Sequence, residues 1–586
     1  MCTFLMAFLA VHAQVSQLTG KVSDSKSEQP IIGAAVFNVS TNAGDVTDEN
    51  GNFNIKASKG NVIQISYLGY KTETITLGDQ KNLDITLETD GVLLEEAVIT
   101  GAMGIKMNTR NLSHSATQVA GENLFLTGRN DALSSLAGRV PGLSMTPTSG
   151  MAGSSVAIQL RGPSSIDGNN QPLIIVDGLP IDNRTFSQGA LTTDQPNRTA
   201  DYTNRAGDLN PNDIESVVVL KGAEAAALYG IDASSGAIII TTKKGKKGSS
   251  RITYDNMIKV DKLFRFPEYS RDYLRGFNGI EDFTTSNYFG PRITEGAQTF
   301  DNVGNFFRNG TSQTHNLSFE GGSENITYRL SSGFTDQKGI VPTNDFRRFN
   351  IRLNTTAKIS NRIDATGSFT YTNSESNSPL RGSNGYFLTL IQWPTTDDAQ
   401  VYLNPDGTRR RIRGDFAAEP ENPFFNVNRS TNTSNTNRNQ GNFSLTYRTT
   451  DWLSFTGRIG IDNYSTVGSQ FLHPETNDGV GIGGRIETYN DNSILLNGNF
   501  IGTVRKEFGD LKLNFSAGAS IDDRNFEITS QRGEKLYIPD FISINNTDPT
   551  TQRNKLTINN HHLVGLLGML ELNYKNYLIF NINGRN

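Results

Sequence analysis

The sequence predicts a mainly β protein whose C-terminal part is an antiparallel transmembrane sheet of the barrel type. The composition disfavours helices, since 57 of 586 residues are glycine and glycine, asparagine and threonine are poor helix formers. The C-terminal half alternates apolar and polar residues with a period of two, as strands with one apolar and one polar face do. The net charge of −5 excludes the strong basic excess of a nucleic-acid-binding protein.

The first thirteen residues form an apolar stretch that is typical of a secretory signal peptide. Val11 and Ala13 place small residues at −3 and −1 of a cleavage site before Gln14. No basic residue precedes the apolar run, so we expect residues 1–13 to be a signal peptide with an incomplete start; a buried strand is the alternative. Cleavage removes Cys2, the only cysteine, which excludes a disulfide scaffold. An outer-membrane barrel or a large secreted β-solenoid or sandwich then remains.

Residues 14–89 are predicted to form a small β-sandwich. About seven short strand-like runs alternate with turns, which is the pattern of an all-β sandwich. Asn50 and Gly51 lie between two such runs and indicate a type I′ hairpin, because that turn needs a positive φ at both central residues. Together with Asp48 they also suggest a calcium loop, but the distal glutamate of an EF-hand is missing. The hairpin is therefore the preferred interpretation.

Residues 113–248 are predicted to be a mixed α/β domain. Residues 173–176 and 237–240 are continuously apolar, as expected for strands that are buried on both faces. A short helix of small residues is predicted over 223–229 and ends at a glycine. The preceding segment, residues 90–112, is by composition an ordinary extended linker.

Residues 249–586 repeat a strand pattern of roughly ten residues many times. Apolar residues alternate with polar ones, as at Phe349, Ile351 and Leu353. Short turns alternate with long polar stretches, notably 373–440, which is typical of an outer-membrane barrel. Four aromatic residues are predicted to lie near strand ends, in interfacial girdles: Tyr371, Tyr447, Trp452 and Tyr577. A soluble β-sandwich also alternates, but the many repeats and the scarcity of aliphatic side chains favour the barrel.

The sequence contains no pattern that points to catalysis or to a metal centre. It lacks HExxH and GxSxG motifs, and its six histidines have no ligand-like spacing. Asp177 could be a catalytic acid, but its Gly-Leu-Pro context indicates a turn. The basic cluster over residues 243–247 suggests either a nucleic-acid or lipid patch or a solvated exit into the first strand of the sheet, and we prefer the exit. We therefore predict a protein that is not an enzyme, with no catalytic residue, metal or cofactor.

Two long strings make the prediction specific. RGPSSIDGNNQPLIIVDGLPI begins at Arg161 and NPNDIESVVVLKGAEAAALYGIDASSGAIIITTKKG begins at Asn210. In this order they closely resemble the plug of the SusC/RagA family of TonB-dependent outer-membrane transporters. The residues that match the family's plug pattern are Arg161, Gly162, Asn170, Pro172, Asp177, Gly178, Pro180, Asp213, Glu215, Lys221, Tyr229, Gly230 and Gly236. The chain departs from it at Gly222 and at Ile231-Asp232, where we expect small changes of the plug surface.

The resemblance implies an order of domains. Residues 14–89 resemble a carboxypeptidase regulatory-like, or transthyretin-like, domain; residues 90–112 are then a linker with the family's TonB box, 113–248 the plug and 249–586 a partial barrel. The TonB box is identified by similarity as Glu96, Ala97, Val98, Ile99, Thr100 and Gly101. Such a box adds as a strand to an edge of the periplasmic protein TonB.

The resemblance also implies a function, which is energised import across the outer membrane. TonB, with its ExbB/ExbD energy supply, pulls on the box and displaces part of the plug. The other implied partners are a SusD-like surface lipoprotein that closes over the barrel mouth, an oligosaccharide or peptide substrate, and outer-membrane lipid, with no nucleic acid. A passive outer-membrane porin or a secreted β-sandwich adhesin is the alternative.

The length of the last domain leads to one more expectation. We count about nine to eleven strand candidates over residues 249–586, whereas a plugged barrel of this family has about 22 strands. We therefore expect this chain to be the N-terminal part of a longer one, with the first half of the barrel and without its C-terminal strands.

Overall fold

The computed structural model describes residues 16–586, except 26–28, 68–69, 89–97, 101–105, 109–115, 126, 130, 164, 167–169, 186–200, 249, 283–284, 286, 383–384 and 413–418. The chain divides into two compact units, one within residues 1–98 and the other containing residues 111–586. Within the described ranges, no helix has the length and apolar character needed to cross a membrane.

The first unit is a β-sandwich of seven described strands: β1 (Ser16–Asp24), β2 (Ala35–Asn38), β3 (Ala43–Val46), β4 (Asn52–Ala57), β5 (Val62–Ser66), β6 (Glu73–Thr76) and β7 (Asn82–Leu87). One sheet has the order β4-β1-β7 and the other the order β3-β2-β5-β6. Alternate side chains such as Leu18, Ile55 and Ile65 point inward and are buried. The predicted sandwich and its strand number are confirmed.

The type I′ hairpin predicted at Asn50 and Gly51 is wrong. β3 and β4 belong to different sheets, and of the two residues only Gly51 has a positive φ, of 80°. Asp48 closes the turn instead, since its Oδ1 accepts hydrogen bonds from the backbone N–H groups of Asn50 (2.9 Å) and Asn52 (2.8 Å). The Asx-type turn lets the chain cross from one sheet to the other. These two amides and the Asn52 side chain donate three hydrogen bonds to the Asp48 carboxylate, which are the contacts of a turn and not those of a calcium loop.

The plug begins the second unit. Its elements are β10 (Ala116–Ala120), α1 (Gly121–Phe125), β11 (Leu143–Pro147), β12 (Val156–Leu160), β13 (Leu173–Val176), β14 (Leu179–Ile181), β15 (Ile214–Leu220), α2 (Ala223–Tyr229) and β16 (Ala237–Thr242). Five of the strands form a sheet of order β10-β15-β16-β13-β14. Ile174 and Val176 pack on one face of this sheet and Ile175 on the other. Burial on both faces explains the continuous apolar runs.

The wall sheet is the large antiparallel sheet of this unit. Its eleven described strands are β17 (Ser250–Asp261), β20 (Gly310–Gly322), β21 (Ile326–Lys338), β22 (Asp345–Lys358), β23 (Ile363–Asn377), β24 (Thr431–Arg448), β25 (Leu453–Leu472), β26 (Arg485–Phe508), β27 (Leu511–Glu534), β28 (Arg553–Tyr574) and β29 (Leu578–Arg585). They pair in sequence order. The basic cluster at 243–247 lies between β16 and β17, so it connects the plug to the first strand of the wall sheet.

Connections on one side of the wall sheet are short, and those on the other side are long. The short-turn side includes the turns β20–β21, β22–β23 and β24–β25. The long-loop side carries β18 (Gly276–Phe277), β19 (Ile280–Glu281), α3 (Asn302–Phe306), α4 (Tyr386–Gln392) and α5 (Pro423–Arg429). In outer-membrane barrels the long loops face the cell exterior, which gives the sheet its orientation.

The strands of the wall sheet are longer than the predicted ten residues. β26 and β27 have 24 residues each, and the polar stretch predicted over 373–440 is partly strand at both ends. Polar cross-strand pairs extend the ladder beyond the apolar band. Asn373 donates to Asn435 Oδ1 (2.9 Å), and the hydroxyl groups of Ser376 and Ser434 lie 2.8 Å apart. Alternation of hydrophobicity does not detect such pairs, so it underestimates the strand length.

The wall sheet has an apolar outer face and a polar inner face. On β22, Phe349, Ile351 and Leu353 are 41%, 37% and 44% exposed. The alternate residues point the other way and are buried against the plug: Asn350, Arg352 and Asn354. The low apolar fraction of the sequence follows from this arrangement, because only one face of each strand is apolar.

Three of the four predicted girdle residues lie near the short turns. Tyr447, Trp452 and Tyr577 are exposed at the short-turn ends of β24, β25 and β28. Tyr371 lies inside β23, where the apolar residues of the outer face are followed by Asn373, and it donates a hydrogen bond to Asn437 Oδ1 (2.8 Å) on β24. The aromatic girdles stay a prediction.

We expect Leu353→Arg to lower the free energy of unfolding of the wall sheet by about 2–4 kcal/mol. A cation on the lipid-facing side near the bilayer midplane costs about that much, and close to the interface about 0–1 kcal/mol. Urea unfolding in lipid vesicles, followed by tryptophan fluorescence, measures the difference. Tyr577→Arg, in a short turn, is the matched control. Equal effects of the two substitutions would contradict a lipid-facing Leu353.

Candidate functional site

The candidate functional site is the contact between the plug and the inner face of the wall sheet. Apolar contact is present where Leu495, Ile501 and Met569 of the wall sheet join the plug's two hydrophobic clusters. Elsewhere the contact is polar, and three groups of charged side chains dominate it. They are called here the Asp177, Arg438 and Asp213 clusters, after one member of each.

A tight hairpin presents the Asp177 cluster. Val176 pairs with Leu179, so Asp177 and Gly178 are the two central residues of the turn, and their φ angles are 51° and 85°. Positive φ at both positions is the type I′ geometry, for which Asp-Gly is a preferred sequence. The predicted turn is confirmed, and a Cβ at position 178 would lie 2.4 Å from the Arg458 guanidinium of the wall sheet.

The Asp177 carboxylate is fully used in structural contacts. It accepts hydrogen bonds from the backbone N–H (2.9 Å) and the hydroxyl group (2.7 Å) of Thr242 at the end of β16. It also forms an ion pair with Arg352 of β22. The Asp177 carbonyl oxygen accepts a hydrogen bond from Asn442 of β24 at 2.7 Å. These contacts hold the plug to the wall sheet.

Arg438 of β24 is the centre of the second cluster. It is 1% exposed, and its Nε and Nη2 donate to the two carboxylate oxygens of Asp462 at 2.8 and 2.7 Å. Nη1 donates to Asp208 Oδ2 (3.1 Å) and to the Arg205 carbonyl (2.6 Å) of the plug. Nη2 reaches the Asp182 carbonyl at 3.0 Å. One wall side chain thus joins two segments of the plug, Arg205–Asp208 and the residue that follows β14.

Asp182 and Arg184 extend this cluster away from the hairpin. Arg184 Nη2 donates to the hydroxyl oxygen of Tyr464 (2.6 Å) and to Asp491 Oδ1 (3.1 Å), and the Tyr464 hydroxyl donates to Asp182 Oδ2 at 2.8 Å. Burial by itself would raise the pKa of Asp182. The Arg184 charge and the hydrogen bonds to this carboxylate outweigh burial, so the pKa of Asp182 lies below its usual value. Asp182 therefore stays ionised inside the contact.

The third cluster lies where the plug chain enters β15. Asp213 accepts a hydrogen bond from Arg329 Nη1 of β21 at 2.7 Å, and both side chains are buried. Next to it, Asn210 donates to Asn316 Oδ1 of β20 at 2.8 Å. Arg348 of β22 donates to the carbonyl group of Gly207 at 2.6 Å. Asp213 was predicted as part of the plug pattern, and this contact gives it a structural reason.

Other residues of the predicted plug pattern maintain the plug's own backbone. Arg161 (φ 61°) and Gly162 (φ 89°) form a left-handed turn after β12. The Asn170 side chain donates to the backbone carbonyl of Ser165 and accepts from its N–H, both at 2.8 Å. Gly230 ends α2, and Gly236 has no room for a side chain, because a Cβ there would lie 2.5 Å from Leu160. The remaining members are buried in the plug or, for Glu215, exposed: Pro172, Pro180, Lys221, Tyr229 and Glu215.

Part of the predicted TonB box is a short edge strand. Val98, Ile99 and Thr100 form β8 (Val98–Thr100), which pairs with β9 (Lys106–Asn108) in a two-stranded sheet. Glu96, Ala97 and Gly101 lie outside the described residues. Since each strand of a two-stranded sheet has one unpaired edge, β8 has the geometry that strand addition requires.

The sequence-based prediction missed the wall-sheet half of this site. Arg329, Arg352, Arg438 and Asp462 are buried charged residues of the wall sheet. A detectable signal exists for Arg329 and Arg352, which are charges at inward positions between apolar neighbours, whereas Arg438 lies between two asparagines and has no such signal. Nor does the sequence identify the partner, which can lie more than 200 residues away, as Arg205 does from Arg438.

Comparisons with known proteins agree with this architecture. A CarboxypepD_reg-like domain model matches residues 18–99, and a TonB-dependent Receptor Plug Domain model matches residues 108–237. The TonB-dependent receptor SusC of Bacteroides thetaiotaomicron is 30% identical over 475 residues, which are 75% of this chain and 44% of that relative. The chain belongs to the SusC/RagA family of TonB-dependent receptors. Membership in the SusC/RagA family places it in the outer membrane.

Further relatives and structures support the same fold. The TonB-dependent receptor P3 of Formosa agariphila is 25% identical over 585 residues, covering 98% of this SusC/RagA chain and 55% of that relative. The structure of the RagAB peptide transporter has a TM-score of 0.65 at 17% identity and covers 81% of this chain and 55% of that one. The RagAB peptide importer in its closed-closed state has a TM-score of 0.64 at 16% identity, with coverage of 81% and 55%. This SusC/RagA chain thus spans about half the length of the curated relatives it matches.

Proposed function

We propose that this protein imports an oligomeric nutrient across the outer membrane, driven by TonB. The observation that carries the proposal is the plug, which is fastened by buried ion pairs to the polar inner face of the wall sheet. A passive porin needs an open aqueous channel, whereas a fastened plug must be displaced before a large solute passes. Displacement against such contacts requires an energy source.

We propose that the box at residues 96–101 is the point where TonB, powered by ExbB/ExbD, attaches. β8 supports this role because it is extended and has a free edge. The plug-pattern residues then transmit the displacement, and the domain limits at 89, 112 and 248 separate the sandwich, the box segment, the plug and the barrel. These limits and roles are part of the proposal.

We further propose a SusD-like surface lipoprotein as the partner on the long-loop side. That side is a folded surface, since Phe306, Leu390 and Val427 of α3, α4 and α5 share one hydrophobic cluster. The substrate is an oligosaccharide or an oligopeptide. An oligopeptide substrate is supported by the RagAB structures, which are described as those of a peptide importer or transporter.

Uptake of labelled oligomers by intact cells tests the proposal. Collapse of the inner-membrane proton gradient, or loss of TonB, is expected to reduce accumulation to the background of a strain without this protein. A monosaccharide that crosses general porins is the control, because its entry across the outer membrane does not depend on TonB. Uptake that continues without TonB would identify a passive porin instead.

A further inference from the structure

A cavity of about 340 Å³ opens among the loops of the long-loop side. It lies between the segment that carries β18 and β19 and the segment that follows α4, and Arg275, Tyr288, Thr395, Asp397, Arg410 and Arg411 are among its lining residues. Ligand pockets commonly have volumes of about 300–1,000 Å³. The cavity is separate from the plug contact described above, because none of the three clusters contributes to its lining.

Arg275 is the unusual residue in this cavity. It is 3% exposed, yet Nε, Nη1 and Nη2 have no carboxylate partner among the described residues. The polar group beside the guanidinium is the Tyr288 hydroxyl, which donates to the Gln392 carbonyl. Burial raises the pKa of Tyr288 to about 12, although Arg275 opposes this shift, so the phenol is neutral and does not balance the guanidinium charge. A buried guanidinium without an anionic partner is costly.

The backbone holds Arg275 in this position. The N–H of Asp282 donates to the Arg275 carbonyl at 3.1 Å. The Leu274 N–H donates to the Pro291 carbonyl (2.9 Å), and the Leu274 carbonyl accepts from the Gly290 N–H (3.0 Å). A Cβ at Gly276 would lie 1.8 Å from the Ile280 carbonyl oxygen, so the tight turn after Arg275 requires glycine. Backbone hydrogen bonds on both sides of Arg275 therefore hold the guanidinium in place.

The other charges of the cavity leave a positive balance. Arg410 is neutralised by Asp397, with Nη2–Oδ1 and Nη1–Oδ2 distances of 2.5 and 3.0 Å. Asp397 also accepts a hydrogen bond from Trp393 Nε1 at 3.1 Å. Asp397 therefore has its partners in Arg410 and Trp393. With Arg275, Arg410 and Arg411 against Asp397 and the exposed Glu281, the lining carries one excess positive charge. One singly charged anion would neutralise it.

We propose that this cavity binds a carboxylate group of the imported oligomer, with Arg275 as its bidentate partner. A planar guanidinium fork matches a carboxylate in both geometry and charge. The assignment rests on the proposed import function for the origin of the ligand, since the cavity lies on the side where substrate arrives. An acidic sugar unit and the carboxylate of a peptide present the same group, so the two sources are separated by experiment.

Direct binding to the purified chain in detergent tests the proposal without TonB. The chain has two tryptophans, so Trp452→Phe leaves Trp393, which is 2% exposed and bonded to Asp397, as a local reporter. The probes are a galacturonate trisaccharide and its methyl ester, a glutamate-containing tripeptide and its amidated form, and inorganic sulfate. At least one of the two acids is expected to bind ten times more tightly than its neutral form. Tight binding of the galacturonate trisaccharide identifies an acidic sugar as the ligand, and tight binding of the tripeptide identifies a peptide.

Arg275→Gln is expected to abolish this tenfold preference, and Arg275→Lys to retain part of it, since charge remains but the fork is lost. Arg271→Gln is the matched control, because Arg271 lies in the same loop but pairs with Asp301 at 3.1 Å outside the cavity. Unchanged emission of Trp393 in the free variants verifies folding.

Equal binding of acid and neutral forms, a full preference in Arg275→Gln, or tighter binding of sulfate would overturn the proposal. Carboxylate binding without TonB-dependent uptake would refute the import function and leave the binding site standing.

Discussion

Deletion of residues 96–101 is expected to abolish uptake of the cognate oligomer, while the protein still reaches the outer membrane. Strand addition uses main-chain hydrogen bonds, so without the segment TonB has nothing to pair with and the plug stays in place. Growth on the oligomer as the only carbon source measures uptake, and surface labelling of the long-loop side measures assembly. Normal growth of the deletion strain would refute the role of the box.

A point substitution makes the same test more specific. Ile99→Pro removes an N–H group and fixes φ, so it is expected to reduce uptake to near the level of the deletion. Ile99→Val preserves the backbone donors and the β-propensity, and uptake should be close to that of the unmodified protein. If both variants transport equally, the backbone of β8 is not the element that TonB recognises.

Arg438→Ala is expected to destabilise the attachment of the plug by about 3–5 kcal/mol. Removal of one partner from a buried ion pair leaves an uncompensated charge, which accounts for a loss of that size. Here the charges left behind are Asp462 and Asp208, whose side chains are 0% and 1% exposed. Amide hydrogen exchange of the plug strands, measured on the protein in lipid, gives the free energy of local opening.

Arg347→Ala is the matched control for this measurement. Arg347 lies on β22 and pairs with Asp336 at 2.9 Å, but Arg347 is exposed to solvent and Asp336 is partly exposed. Exposed pairs contribute about 0–1 kcal/mol, so exchange from the plug should hardly change. Similar protection of the plug in Arg438→Ala and Arg347→Ala would show that the Arg438 cluster does not hold the plug.

Much of the fold could be predicted because hydrophobic periodicity is a local signal. The runs at 173–176 and 237–240 and the alternation around Leu353 each report burial of their own strand. The turn at Asn50 could not be predicted in the same way. Its geometry depends on Asp48 and on the sheet to which the following strand belongs, and neither is evident from an Asn-Gly pair.

The candidate site was predictable only in part, for a related reason. The plug strings contain Asp177 and Asp213, but the arginines that hold them, Arg352 and Arg329, come from wall strands far along the chain. Strand order and register decide which inward arginine meets which carboxylate. The Arg275 cavity was not predictable either, because its two walls are irregular loops without a periodic pattern.

The position of β10 at the edge of the plug sheet determines how mechanical load would enter the plug. The box precedes β10 in sequence, and β10 is joined to the sheet only through β15, over five residue pairs from Ala116–Leu220 to Ala120–Ser216. Traction from the box would therefore peel one strand from its end and break its hydrogen bonds in succession. The other four strands, with the ion pairs of Asp177 and Asp213 beside them, need not yield together. Under the pull proposed for TonB, such a plug would open stepwise from this edge.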